Sequence, residues 1–152
     1  MDLPKGLDDA DKRILNLLQD DARVSFAEIA KRTGVAESTV RYRMRRLARD
    51  KVITRMTALL DPRSIGMNVT AVVLVKINPK LLTAAIGRLA AFEESHHVFQ
   101  TTGEYDAIAV VHTEDMEHLN ELKRRIEMIS GVKDVSVWAA TGLAKIETRF
   151  KL

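Results

Sequence analysis

The sequence predicts an α+β chain in two parts. Residues 1–60 read as a winged helix-turn-helix domain, 61–68 as a linker, and 69–152 as a ferredoxin-like βαββαβ domain. Three observations carry this expectation. Positive charge is confined to one short segment: Ser25 to Arg55 holds nine basic side chains against three acidic ones, a balance of +6, while the whole chain carries only +3. Residues 67–152 are nearly neutral, with 10 basic and 11 acidic residues. The apolar pattern also changes, from helical spacing before Asp61-Pro62 to valine-rich runs interleaved with helical stripes after Gly66.

Leu7 to Asp20 predicts the first helix, with Ile14, Leu15, Leu17 and Leu18 as its apolar stripe. Asp8 is placed to cap it, and Asp9 and Asp11 suit the positive end of the helix dipole. Ser25-Phe26-Ala27-Glu28 fits a capping box opening a second helix that runs to Thr33, and Gly34 allows a tight exit. A third helix follows from Glu37 to Asp50. At ~100° per residue, Val40, Met44 and Leu47 fall within roughly 60° of one another and form its buried stripe. Ser38, Tyr42, Arg45 and Arg49 point the opposite way, flanked by Thr39, Arg41 and Arg46. Strand-forming residues at Val52–Leu60 predict a wing.

Beyond the linker, Val69–Ile77 predicts a buried strand and Pro79–Phe92 a helix with Leu82, Ile86 and Leu89 on one face. Val98–Thr102 and Ala107–His112 predict a hairpin closed by Gly103-Glu104-Tyr105-Asp106. Asp115–Ile129 predicts a helix with Met116, Leu119, Leu122 and Ile126 as its stripe, ended by Gly131. Val132–Ala139 predicts a strand, and Ala144–Phe150 alternates like a half-exposed one.

Five arginines within residues 41–49 repel one another unless an anion relieves them. A helix fits the DNA major groove, and a guanidinium fork matches phosphate and guanine in paired hydrogen bonds. Double-stranded DNA is therefore the expected partner, with Ser38, Thr39, Tyr42 and one or both of Arg41 and Arg45 at base edges. Arg46, Arg49 and Arg55 are expected nearer the backbone, and Ser25, Lys31 and Arg32 hold phosphates from the second helix. A solvated basic helix face is the plainer alternative, and the clean apolar stripe opposite argues against it.

Other chemistries find little support. There is no cysteine, so disulfides and thiol catalysis are excluded. His96, His97, His112 and His118 fall into no metal-ligand or nucleophile pattern, so no catalytic residue, metal or cofactor is expected and the chain is not read as an enzyme. The opening MDLPKGLDDADKR lacks the apolar segment of a signal peptide, and no run approaches the ~18 apolar residues that span a bilayer. A soluble, cytoplasmic protein with no membrane partner is expected.

Three stretches resemble the Lrp/AsnC family of regulators, the feast/famine proteins: LDDADKRILNLLQDDAR at 7–23, SFAEIAKRTGVAESTVRYRMRRLARDKVI at 25–53 and TGEYDAIAVV at 102–111. The resemblance covers nearly the whole chain. It implies a transcription regulator whose second domain, of the RAM type, forms homodimers, assembles them into tetramers or octamers, and binds an amino-acid effector between dimers. The implied effector residues are Thr102, Gly103, Glu104, Tyr105, Asp106, Val135 and Val137. Gly103 permits positive φ, turn N–H groups can receive a carboxylate, and Glu104 and Asp106 can receive an ammonium group. Read without the resemblance, the same residues make a plain hairpin turn with exposed acids.

Two departures stand out. Ala36 occupies the cap position before the third helix, where the family commonly has serine. Val135 and Val137 stand where threonines often face the effector. Either the effector is apolar at that end, the polar contact moves to Ser136, Trp138 or Thr141, or the site is idle. Trp138 suits an interface as well as a core. An architectural protein that wraps DNA with little sequence preference is the alternative function.

Overall fold

The structure is a computed structural model that describes residues 6–152, so the first five residues of MDLPKGLDDADKR lie outside the described residues. The chain forms two compact units. One ends at Leu59 and takes in Ile146–Leu152; the other is Leu60–Lys145.

The first unit is a helix-turn-helix with a leading helix: α1 (Asp9–Asp20), α2 (Phe26–Thr33) and α3 (Glu37–Arg49). Asp8 caps α1 in a reciprocal arrangement. Its carboxylate accepts the Asp11 N–H at 2.8 Å, and the Asp11 carboxylate accepts the Asp8 N–H at 3.3 Å. Ser25 Oγ accepts the Glu28 N–H at 3.1 Å to start α2, and Gly34 ends it in the left-handed region at φ 71°. Ile14, Ile29, Val40 and Met44 form the core, sealed by Leu17, Leu18, Val24, Phe26, Val35 and Ile53. Ala36 offers α3 no side-chain cap.

Two expected strands, the wing of the first part and the terminal strand of the second, are not formed. Residues 52–60 hold no strand: the Val52 and Ile53 amides return to the Leu47 carbonyl at 2.9 and 3.1 Å, and residues 54–60 run exposed. Ala144–Phe150 is likewise without strand structure. β-branched and alternating residues favour a pleated surface only where a neighbouring strand takes up the backbone groups, and this unit presents none. The C-terminal segment is instead tied to α1. Phe150 donates its N–H to Gln19 Oε1 at 2.6 Å, its carbonyl accepts Gln19 Nε2 at 3.0 Å, and Arg149 pairs with Asp20 at 3.0 Å.

The second unit is a four-stranded antiparallel sheet in the order β2-β3-β1-β4, built from β1 (Val69–Ile77), β2 (Ser95–Gln100), β3 (Ala107–Thr113) and β4 (Val132–Ala139). The helices α4 (Leu82–Ala90, after a 3-10 turn at Pro79–Leu81) and α5 (Met116–Glu127) complete the βαββαβ order. β2 thus begins three residues before the expected Val98 and ends at Gln100. Because side chains alternate along a strand, Ala71, Val73, Val75 and Ile77 of β1 join Ala107, Ala109 and Val111 of β3 against Leu89, Leu119, Leu122 and Ile126 of the helices. Val72, Ile108, Val110 and Trp138 take the other face, which neither α4 nor α5 covers.

Candidate functional site

The outer face of α3 forms because its inner stripe, Val40, Met44 and Leu47, is buried, with Val40 and Met44 packed on Ile14 of α1 and Ile29 of α2. Ser38, Thr39, Arg41, Tyr42, Arg45 and Arg49 are all exposed on the opposite side, as are Ser25, Lys31 and Arg32 of α2 and Arg55 beyond α3. Arg41 is held upright by Glu37 at 2.7 Å and lies over the Phe26 ring at 4.8 Å. Arg49 pairs with its neighbour Asp50 at 2.9 Å. These pairs are open to solvent, so they orient the guanidiniums without burying them.

Arg46 is a correction to the expected row. Instead of flanking the outer face, it turns toward α1 and pairs with Asp11. Arg43 goes the same way. One of its guanidinium nitrogens meets Asp8 Oδ2 at 2.7 Å and Asp11 Oδ1 at 2.8 Å. The Asp11 amide and then the Arg43 guanidinium hold the Asp8 carboxyl down at about 2. Arg43 was absent from the expected site, yet a signal was available. Asp8 and Asp11, like Arg43 and Arg46, are three apart, the spacing that places two side chains on one helix face. The five-arginine cluster is therefore partly neutralised within the fold.

The hairpin between β2 and β3 is built tightly. Thr101 Oγ1 donates to the Tyr105 carbonyl, and the Thr101 amide meets the Asp106 carbonyl at 3.0 Å. Asp106 is spent on architecture: its carboxylate accepts the Ile77 N–H at 2.7 Å, and its own N–H reaches the Val75 carbonyl at 3.0 Å. Glu104 is exposed and pairs with Lys76 at 2.9 Å, which raises the Lys76 pKa through that hydrogen bond. Tyr105 Oη lies 3.2 Å from Ser136 Oγ, with Lys76 Nζ 5.1 Å from its ring. Thr102 and Gly103 are exposed.

Three expectations for this hairpin are corrected. Gly103 is not among the positive-φ glycines, which are Gly34, Gly66 and Gly131, so the turn needs no left-handed residue there. The Asp106 carboxylate is tied to β1 through Oδ2, which accepts the Ile77 N–H, rather than standing wholly free for an ammonium group. Val135 and Val137 pack into the helix-covered core, whereas Ser136, the neighbour of Tyr105, faces the other way. Val135 and Val137 thus lie on the face of β4 opposite Ser136, and the sequence's alternative, Ser136, is the one beside the hairpin.

Among the described residues no group of three or more His, Asp or Glu side chains is arranged to hold a metal, and no helix is long and apolar enough to cross a membrane.

A helix-turn-helix with a cationic outer helix, followed by a βαββαβ unit with a tight polar hairpin, defines a DNA-binding regulator with a ligand-binding domain. The AsnC-type helix-turn-helix domain matches residues 7–48, and the Lrp/AsnC ligand binding domain matches residues 70–149. The chain belongs to the Lrp/AsnC family of transcriptional regulators, which are not enzymes. It is 37% identical over 127 residues to the HTH-type transcriptional regulator FL11 of Pyrococcus furiosus, covering 84% of each chain. It is also similar to the feast or famine regulatory protein of M. tuberculosis complexed with L-methionine, with a TM-score of 0.89 at 25% identity over 95% of this chain and 99% of that one. E. coli AsnC shares the fold, with a TM-score of 0.88 at 22% identity over 95% and 99%.

Proposed function

We propose that the chain is a sequence-specific regulator that reads duplex DNA with α3 and is modulated by a small amino-acid effector at the β2–β3 hairpin. The observation that carries the first half is the exposed row on α3, with small hydroxyl and aromatic side chains near its N-terminus and guanidiniums along its length. Ser38, Thr39 and Tyr42 contact base edges with Arg41 and Arg45, and Arg49, Arg55, Ser25, Lys31 and Arg32 hold phosphates. The work divides at 61–68, with DNA recognition before the linker and effector binding after it.

The effector half rests on the hairpin and on the methionine complex of the relative. Glu104 and Lys76 stand side by side at 2.9 Å with opposite charges, so a zwitterion replaces each as the other's partner, its ammonium on Glu104 and its carboxylate on Lys76. Tyr105 and Ser136 add hydroxyl groups. The chain acts as a homodimer that assembles further to a tetramer or octamer. The uncovered sheet face supports this, since Trp138 is 61% exposed beside Val72 on β1. Two-fold symmetry then sets two α3 helices about 34 Å apart, in successive major grooves. A cytoplasmic place follows from the DNA partner.

The test is binding of the purified full chain to a duplex from its own upstream region and to a scrambled duplex, at about 150 mM salt, with and without the common amino acids. Preference for the upstream duplex that shifts with the amino acids supports both halves. Preference that ignores them leaves the regulator and removes the effector. Equal binding to both duplexes replaces this reading with an architectural, DNA-wrapping protein.

A further inference from the structure

The first unit contains a charge its core does not need. Asp11 is 1% exposed, the only buried charged residue among those described. A carboxylate so enclosed loses its hydration, and an apolar side chain of similar size in such a place is often neutral or stabilising. Both of its oxygens are occupied: Oδ1 by Arg43 at 2.8 Å, and Oδ2 by Arg46 and by the Asp8 N–H at 3.3 Å. The arrangement withdraws two guanidiniums from water. The Arg43 and Arg46 side chains are 20% and 30% exposed, against 52% and 72% for Arg41 and Arg49. Arg43 Nε is buried and has no hydrogen-bond partner, so the pairing is maintained at the cost of an unsatisfied donor.

Each mobile arginine on a DNA-facing helix adds affinity that is blind to sequence, because it displaces counterions wherever a phosphate lies. Withdrawing two of five lowers that background while leaving base contacts untouched. The same contacts bridge α1 to α3 at two positions one turn apart, which fixes the rotation of α3 about its own axis.

We infer that Asp11 is a positioning residue for DNA recognition: it binds Arg43 and Arg46, turns them away from the duplex, and leaves Arg41, Arg45 and Arg49 as the arginine contacts of α3. The inference rests on the reading of α3 as the DNA-facing helix, and the experiment separates the two.

Binding of the full chain to a random-sequence duplex of about 30 base pairs is measured against salt for the wild type, Arg49→Gln, Arg46→Gln, Arg43→Gln and Asp11→Asn, with thermal unfolding checked for each. Arg49→Gln flattens the log-log salt slope by about 0.9 per chain, the value for one phosphate contact. Arg46→Gln and Arg43→Gln leave the slope unchanged. Asp11→Asn, kept below its unfolding temperature, steepens the slope by up to about 1.8 per chain and tightens binding to the random duplex. A purely structural Asp11 would instead weaken binding in step with the folded fraction, at constant slope. A folded Asp11→Asn with an unaltered slope, or an Arg46→Gln that flattens it as Arg49→Gln does, overturns the inference. If Asp11→Asn does not fold, the two arginine variants decide alone. An unaltered slope for Arg49→Gln, or a wild type that binds no duplex, defeats the reading of α3 and the inference with it.

Discussion

Replacing Ala36 with serine should stabilise the helix-turn-helix unit. The two helices of the motif start differently, and that difference sets the magnitude. At the start of α2, Ser25 has extended backbone angles of φ −71° and ψ 154°, and its Oγ accepts the amide three residues on at 3.1 Å. At the start of α3, Ala36 has nearly the same backbone, φ −58° and ψ 142°, and no side-chain acceptor. A serine there places its Oγ to accept the Thr39 N–H, which has no partner inside the helix. Ala36 is exposed, so the hydroxyl displaces nothing. The expected gain is about 1 kcal/mol, the typical worth of such a cap. In urea the midpoint rises by roughly 0.5–1 M for a unit with a slope of ~1–2 kcal/mol/M. Thr39 amide exchange slows about fivefold where it proceeds through unfolding of the unit, the factor corresponding to 1 kcal/mol. Ser25→Ala is the matched control and should lose a similar amount. If Ala36→Ser leaves both readouts unchanged while Ser25→Ala costs about 1 kcal/mol, equal backbone geometry does not confer equal capping, and the reasoning fails.

Asp106→Ala removes the acceptor of the half-buried Ile77 N–H, so unit two should lose ~1–3 kcal/mol in urea unfolding, more than an exposed turn acid would cost. Gly131→Ala should be comparably harmful. Its φ of 96° is unfavourable for any Cβ, and that Cβ would lie 2.7 Å from Leu81 Cβ. Gly103→Ala, with open space around it, should stay within ~0.5 kcal/mol, and calorimetry of the two variants checks the contrast. His112 is held below its ordinary 6.5 by burial and by His96 and His97, while its Nδ1 lies 2.9 Å from Thr70 Oγ1. Its unfolded form therefore takes up a proton first as pH falls. The contribution of His112 to the stability of unit two is full well above pH 6.5 and declines as pH falls through that value, and His112→Gln should flatten that part of the urea-midpoint profile.

Elements whose signal is local were legible in the sequence. Asp8, Ser25 and Gly34 mark helix ends through contacts within three or four residues, and the stripes Val40-Met44-Leu47 and Leu119-Leu122-Ile126 need only the helical period. Features that depend on a distant partner were not. Val52–Leu60 and Ala144–Phe150 have strand composition, but a strand is completed by a neighbour's amides and carbonyls, and residue type does not supply one. The resemblance implies that Val135 and Val137 face the effector, because they match family positions. Strand register sets the face, however, and the pairing of Val135 with Val75 and Val137 with Val73 places both in the core.

The arginines show the same limit in their chemistry. A helical wheel ranks positions by angle about one axis, so it puts Arg46 on the flank of an outward row. It carries no term for a carboxylate 35 residues earlier in the chain. Arg43 and Arg46 have stems long enough to leave the direction their Cα–Cβ bonds suggest, and an enclosed Asp11 attracts them more strongly than an exposed acid could, because water screens it less. Charge counted along a sequence therefore overstates the field at the outer face of α3. Of the five arginines, Arg41, Arg45 and Arg49 remain on its exposed face.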